Sequence, residues 1–150
     1  MGLDMFLQAE QYISEFDEDS KQFIDAVKEV DYLGLGDFKP SKIAFEIGYW
    51  RKANAIHGWF VRELQKGEDK CQTTYVPLAK LEKLKDICEK ILDNNELASE
   101  LLPTTKGFFF GSYEYDEYYK HDVEKTHLLL SKILSNPNVK KWHITYHASW

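Results

Sequence analysis

Between Leu3 and Ile13 the apolar residues separate by parity, with Met5, Leu7 and Ala9 on one side and Phe6, Gln8 and Glu10 on the other. A period of two predicts a half-buried strand. Asp17-Glu18-Asp19-Ser20 then supplies acids and a capping hydroxyl ahead of Phe23, Ile24, Val27 and Val30 at helical spacing, so a helix is expected over Ser20–Tyr32. Gly34-Leu35-Gly36-Asp37 and Pro40 end it. The β-branched and aromatic run Ile43–Trp50 predicts a central strand. Ala53, Ile56, Phe60 and Leu64 return to three-to-four spacing, so a helix follows after a very short turn and ends near Gly67.

From Pro77 onward, Leu78, Leu81, Leu84, Ile87, Cys88, Ile91 and Leu92 mark an apolar stripe opposed by Lys80, Glu82, Lys83, Lys85 and Glu89, the best-defined helix of the chain. A short helical piece is expected over Glu96–Leu102. After Pro103 and Gly107–Ser112, a long helical pattern spans Tyr113–Leu134 with Ser112 as its N-cap, and Asn136-Pro137-Asn138 ends it. Trp142–Ala148 alternates and predicts a last strand beside the first two. The order β-α-β-α-α-(α)-α-β predicts an α+β fold. A single domain over residues 1–150 would cover one face of a small, about three-stranded sheet with a layer of four to five helices.

Composition narrows the function. With 43% hydrophobic and 29% charged residues the chain should fold, and 150 residues suffice for one core. A net charge of −6, with basic residues scattered among acids, argues against a general nucleic-acid binder but permits one local cationic pocket. Cys71 and Cys88 have neither metal spacing nor companions for a disulfide framework, which suits reduced thiols in a cytosol. The start Met1-Gly2-Leu3-Asp4-Met5-Phe6 lacks a basic, apolar export signal, and no apolar run reaches membrane-spanning length, so a cytoplasmic location without membrane partners is expected.

Two segments carry candidate chemistry. In Tyr49-Trp50-Arg51-Lys52-Ala53-Asn54-Ala55-Ile56-His57 two cations stand where a strand gives way to a helix. Arg51, Lys52 and the unpaired helix amides suit a phosphate or carboxylate, and Asn54 and His57, one turn apart, would point toward it. Taken singly, each has a bland alternative: Trp50 as core, Arg51 in an ion pair, His57 as a satisfied histidine. In the second segment seven of the twelve residues from Phe108 to Tyr119 are aromatic, and Gly107 and Gly111 flank the phenylalanines. Such a glycine-bounded loop brings backbone close to something. Phe109, Phe110, Tyr115 or Trp50 would stack on a base, and Asp116 or Glu114 would bind ribose hydroxyls, unless the run is simply core or subunit interface.

Other patterns point away from catalysis. His143-Ile144-Thr145 and His147-Ala148-Ser149 imitate the paired elements of two-histidine phosphoesterases, yet both occupy one short terminal strand rather than separate halves of a fold. No phosphate-binding loop, dinucleotide fingerprint, zinc-protease motif or nucleophile elbow is found, so no catalytic residue, metal or cofactor is expected.

The segments Met1–Met5, Gly48–Phe60 (GYWRKAN-x-IH-x-WF) and Gly107–Asp116 (GFFFGS-x-EYD) resemble those of small tailed-phage and prophage proteins, and the likeness extends over nearly the whole chain. His143 and His147 do not belong to that pattern. The resemblance implies origin rather than mechanism, with the host cytoplasm as the setting. By analogy with phage proteins that sequester host immune nucleotides, it suggests a sponge for an ADP-ribose derivative or cyclic nucleotide, built as a homo-oligomer. The expected ligand-binding set is Tyr49, Trp50, Arg51, Lys52, Asn54, His57, Phe109, Phe110, Ser112, Tyr115 and Asp116. Two rival expectations are an enzyme that cleaves such a signal through His57, Arg51 and Asp116, and a protein-binding inhibitor or adaptor that presents its aromatic segments to a partner.

Overall fold

The computed structural model describes residues 2–29, 34 and 39–150. The parity of the first segment becomes strand β1 (Asp4–Tyr12), whose Met5 and Leu7 are fully buried while Phe6 and Gln8 occupy the opposite face. On one side β1 pairs antiparallel with β2 (Lys42–Arg51), Met5 opposite Trp50 and Leu7 opposite Gly48. On the other it pairs antiparallel with β4 (His143–Ser149), Leu7 opposite Tyr146. The register then slips, because Gln8 faces Glu46, and Ile47 is left without a counterpart as in a β-bulge. A two-residue strand β3 (Thr74–Tyr75) joins the far side of β4, giving the order β2-β1-β4-β3, so β2, expected to be central, is an edge strand with a largely exposed first half, and β1 and β4 are the central pair.

The class is therefore α+β, with four antiparallel strands where about three were expected. Two residues cannot display a period, so β3 leaves no pattern in the sequence. Tertiary bonds hold it: Val76 N donates to Ile144 O at 2.8 Å, and the Gln65 amide donates to the Thr74 hydroxyl at 3.0 Å.

One face of the sheet, carrying Met5, Leu7, Trp50 and Tyr146, forms the core with helices α2 (Asn54–Leu64), α3 (Leu78–Asp93) and α5 (Glu117–Ser135), numbered after α1 (Glu18–Lys28). Phe60 of α2 stacks on Tyr146 with ring centroids 4.0 Å apart. Burial of one such side chain stabilises the fold by about 2 kcal/mol. A buried hydrogen-bond chain ties α5 to β2: the Trp50 indole donates to the Thr126 hydroxyl (2.9 Å), which donates to the Asp122 carbonyl (2.6 Å). The predicted Glu96–Leu102 piece is a 3₁₀ turn (Asn95–Leu97) running into α4 (Ala98–Leu101).

Two boundaries differ from expectation. Helix α1 begins before Ser20, at Glu18, and its Phe23, placed by spacing on the apolar stripe, is exposed while Ile24 is buried. The expected end at Tyr32 lies outside the described residues. Helix α5 starts at Glu117 and is capped by Asp116, not Ser112: the carboxylate accepts from the Tyr118 and Tyr119 amides, each at 3.0 Å. Ser112 instead accepts from the Glu114 amide at 3.1 Å. Both residue types cap helices, but a carboxylate serves two amides and also meets the positive end of the helix dipole. Among the described residues, no helix is long and apolar enough to cross a membrane.

Candidate functional site

Strand β2 leaves the sheet at Arg51, and the chain turns at once into α2 through Lys52, a non-glycine residue with φ of +59°. That left-handed conformation is held because Lys52 N donates to Leu3 O at 2.8 Å and Asn54 N donates to Lys52 O at 2.9 Å. Residue 53 is alanine, so no side chain caps α2. Against this turn lies the loop at Gly111, with φ of +95°, where an added Cβ would stand 3.1 Å from Lys52 O. Only glycine suits such an approach. Between the turn, the loop and the first half of α5 opens a cleft of about 590 Å³, inside the usual range for small-molecule sites.

Of the expected set, Tyr49, Arg51, Lys52, Asn54, Ser112 and Asp116 line this cleft, whereas Trp50, His57, Phe109, Phe110 and Tyr115 do not. Trp50 is fully buried core with its indole bonded to Thr126. Phe110 is also core, edge-on to His57 at 5.2 Å and to Trp150 at 5.9 Å. Phe109 points to solvent beside Phe108, the two 53% and 80% exposed, on backbone with φ of +64° at Phe109. Tyr115 packs edge-on against Tyr119. The aromatic rings at the cleft are instead Tyr49, Tyr118 and Tyr119.

Asn54 shapes the cleft wall rather than facing an occupant with its amide. Its nitrogen donates to Ser112 O (2.7 Å) and Phe110 O (3.2 Å), and its oxygen accepts from Thr105 N (3.0 Å). Both donors are thus engaged in pinning the Phe-rich loop to α2. Asp116 is similarly engaged in capping, and those backbone bonds hold its carboxyl below the ordinary range.

Other charged groups in the cleft are less engaged. The Arg51 guanidinium, 62% exposed, reaches Asp4 only at 3.9 Å, and such a surface pair contributes little. Asp4 also accepts from the Tyr49 hydroxyl, which raises the Tyr49 pKa. Lys125 sits 5.8 Å from the centre of the Tyr49 ring. Arg51, Lys52 and Lys125 therefore bring three cations to a cleft that also receives Glu114, Asp116 and Asp122. Burial pushes the Asp122 carboxyl up to about 6.

His57 belongs to a separate cluster. Its side chain is almost fully buried, with Nδ1 2.7 Å from the Tyr146 hydroxyl and Nε2 2.7 Å from Asp69 Oδ2. An ionised carboxylate accepts only, so Nε2 carries the proton and Nδ1 accepts from Tyr146, whose own pKa burial raises well above the ordinary phenol range. Burial lowers the His57 pKa despite the partial opposition of Asp69. Asp69 further accepts from the Trp150 indole at 2.8 Å. The ring is a satisfied core histidine, with neither nitrogen left to move a substrate proton.

Sequence reasoning missed the contribution of α5: Tyr118, His121, Asp122 and Lys125 all line the cleft. Positions 118, 121, 122 and 125 follow the three-to-four helical spacing, so a polar stripe at the start of the long helix was the available signal. Asp69 had no such signal, since its partners are remote in sequence. His143 and His147 lie on the sheet face away from the core and stack on Tyr75 (4.5 Å) and Phe6 (4.8 Å). Among the described residues no three His, Cys, Asp or Glu side chains are grouped to hold a metal ion. No protein-family model, curated protein or solved structure matches this chain.

Proposed function

We propose that the chain binds a nucleotide-derived anion in the cleft between β2, α2 and α5, and holds it without transforming it. The observation that carries this reading is the convergence of Arg51, Lys52 and the uncapped first turn of α2 on one cleft of nucleotide-sized volume. Uncapped helix amides and guanidinium or ammonium groups are the standard means of holding phosphate. Tyr49 and Tyr118 replace the phenylalanines as the rings that stack on a base. Binding is favoured over the cleavage route through His57, because that ring is buried and bonded at both nitrogens.

In the phage setting suggested by the sequence resemblance, such binding removes a host immune signal, an ADP-ribose derivative or cyclic nucleotide, from the host cytoplasm. A homo-oligomer would carry several such clefts. Calorimetric titration with ADP-ribose, ADP and cyclic di-AMP tests the reading. At least one should bind and be recovered intact after heat release, and Arg51→Ala should weaken it about tenfold. Recovery of fragments would turn the reading to catalysis, and no binding by any would reject it.

The adaptor reading has its own support in Phe108 and Phe109, whose tilted rings lie 4.2 Å apart and are turned to solvent. A Phe108→Ser/Phe109→Ser double variant that loses a stoichiometric host partner while keeping nucleotide affinity would favour it.

A further inference from the structure

Asp122 stands out among the acids of the cleft. Asp116 caps α5, and Glu114 lies on an exposed loop. Asp122 lies within α5 itself, half-buried, and its carboxyl has no hydrogen-bond or ion-pair partner among the described residues, although the charges of His121 and Lys125 beside it act on it at longer range. Its backbone is held, because its carbonyl accepts from Thr126, whose hydroxyl is itself bonded to the buried Trp50 indole. Asp122 thus lines, from a held helix, the same cleft that Arg51 and Lys52 line.

A partly desolvated carboxyl without a partner is costly, and a ligand that brings donors to it recovers that cost. A bare polyanion brings none and meets repulsion there. A nucleotide brings both halves of the match: phosphate for the cations and a vicinal diol for an acceptor-only carboxylate.

We infer that Asp122 is the specificity-determining residue of this cleft, its carboxylate accepting hydrogen bonds from the two ribose hydroxyls of a bound nucleotide. This rests on the nucleotide reading above and narrows it to nucleotides with a free ribose diol, such as ADP and ADP-ribose, away from 3′,5′-cyclic dinucleotides. The raised pKa of Asp122 agrees with a carboxyl that lacks donors in the unliganded protein.

The test is calorimetric titration at pH 7.5 of the wild-type chain, Asp122→Asn and Glu114→Gln with three probes: ADP, 2′,3′-dideoxy-ADP and pyrophosphate. The wild type should prefer ADP over the dideoxy analogue by about tenfold or more, the range expected of hydrogen bonds to a charged group. Asp122→Asn should erase that preference while binding pyrophosphate as well as the wild type or better. Glu114→Gln should keep it. A melting temperature of Asp122→Asn equal to or above the wild type, expected because no intramolecular bond is lost, shows that the variant is folded. If the wild type binds ADP and the dideoxy analogue equally, or Asp122→Asn retains the preference, or Glu114→Gln removes it, the assignment to Asp122 is overturned and the nucleotide reading stands. If the wild type binds none of the three probes, the assignment to Asp122 falls, and the nucleotide reading falls with it when ADP-ribose and cyclic di-AMP also fail to bind.

Discussion

Two polar clusters flank α2, and they differ in how completely their groups are bonded. At His57 every polar atom of the ring has a partner, and Asp69 is shared between that ring and the Trp150 indole. In the cleft at the other side of the turn, Arg51 is loosely paired, α2 has no side-chain cap, and the Asp122 carboxyl has no hydrogen-bond or ion-pair partner among the described residues, only the longer-range pull of His121 and Lys125. Residue type does not separate the two, since a histidine beside an aspartate is as suggestive in sequence as an arginine beside a lysine. Completeness of bonding does: a closed network specifies the fold, while open valences in a cleft of ligand size are what a bound molecule would satisfy.

The largest effect that would sharpen this contrast is on stability. His57→Phe removes two buried hydrogen bonds and leaves Tyr146 and Asp69 short of a partner, at a cost of about 3 kcal/mol. Thermal denaturation should show a fall of roughly 6–12 °C in Tm, with nucleotide affinity unchanged in the folded protein. A variant that keeps its Tm and loses affinity would place His57 in the site after all. Asn54→Ala comes next, because it strands Thr105 N, Phe110 O and Ser112 O. About 2 kcal/mol of stability should be lost, together with affinity, since the cleft wall is no longer pinned.

Acid pH separates the clusters by sign. Burial lowers the His57 pKa below its ordinary 6.5, so below that pH the unfolded chain takes up a proton that the native chain refuses. The stability linked to His57 is present above pH 6.5 and is lost as pH falls toward the lower folded value. Asp122 acts oppositely: protonated near 6 in the folded chain and near 3.8 when exposed, it adds stability as pH falls through 6 toward 3.8. Chemical denaturation across pH 7 to 4 should therefore show a flatter acid-side loss in His57→Phe and a steeper one in Asp122→Asn. Identical slopes in both variants would contradict the assignment.

The sequence made most of this frame legible. β1, α3 and β4 follow from parity and three-to-four spacing, because each shows its period and buries one face. α2 follows from its spacing although Asn54–Phe60 are all buried, and β2 follows from its β-branched and aromatic run, whereas its place at the sheet edge does not. What escaped was decided by tertiary contact. β3 is two residues held by Gln65 and Ile144, and the cap of α5 was settled between two suitable residues by which one reached two amides. The site was half legible. The strand-to-helix turn at Arg51–Lys52 and the glycine-bounded segment Gly107–Asp116 were each visible, whereas their approach to one another is set by the tertiary fold. The phenylalanines were misplaced, because three successive rings point in different directions and sequence does not say which one enters the core. Phe110 does, while Phe108 and Phe109 face solvent.

That last difference carries the smallest expected effect. Phe109→Ala should change stability by no more than about 0.5 kcal/mol and leave nucleotide affinity unaltered, whereas Tyr49→Ala should weaken binding severalfold through loss of a stacking face. A reversed ranking would return the stacking role to the Phe-rich loop.

The most direct test is residue-resolved: amide chemical shifts of the isotope-labelled chain followed during titration with ADP-ribose. Saturable shifts are expected at Arg51–Ile56 and Tyr118–Lys125, with Asp69, Tyr146 and Trp150 nearly still. Shifts confined to the His57 cluster or to Phe108 and Phe109, or none at millimolar ligand, would contradict the nucleotide reading.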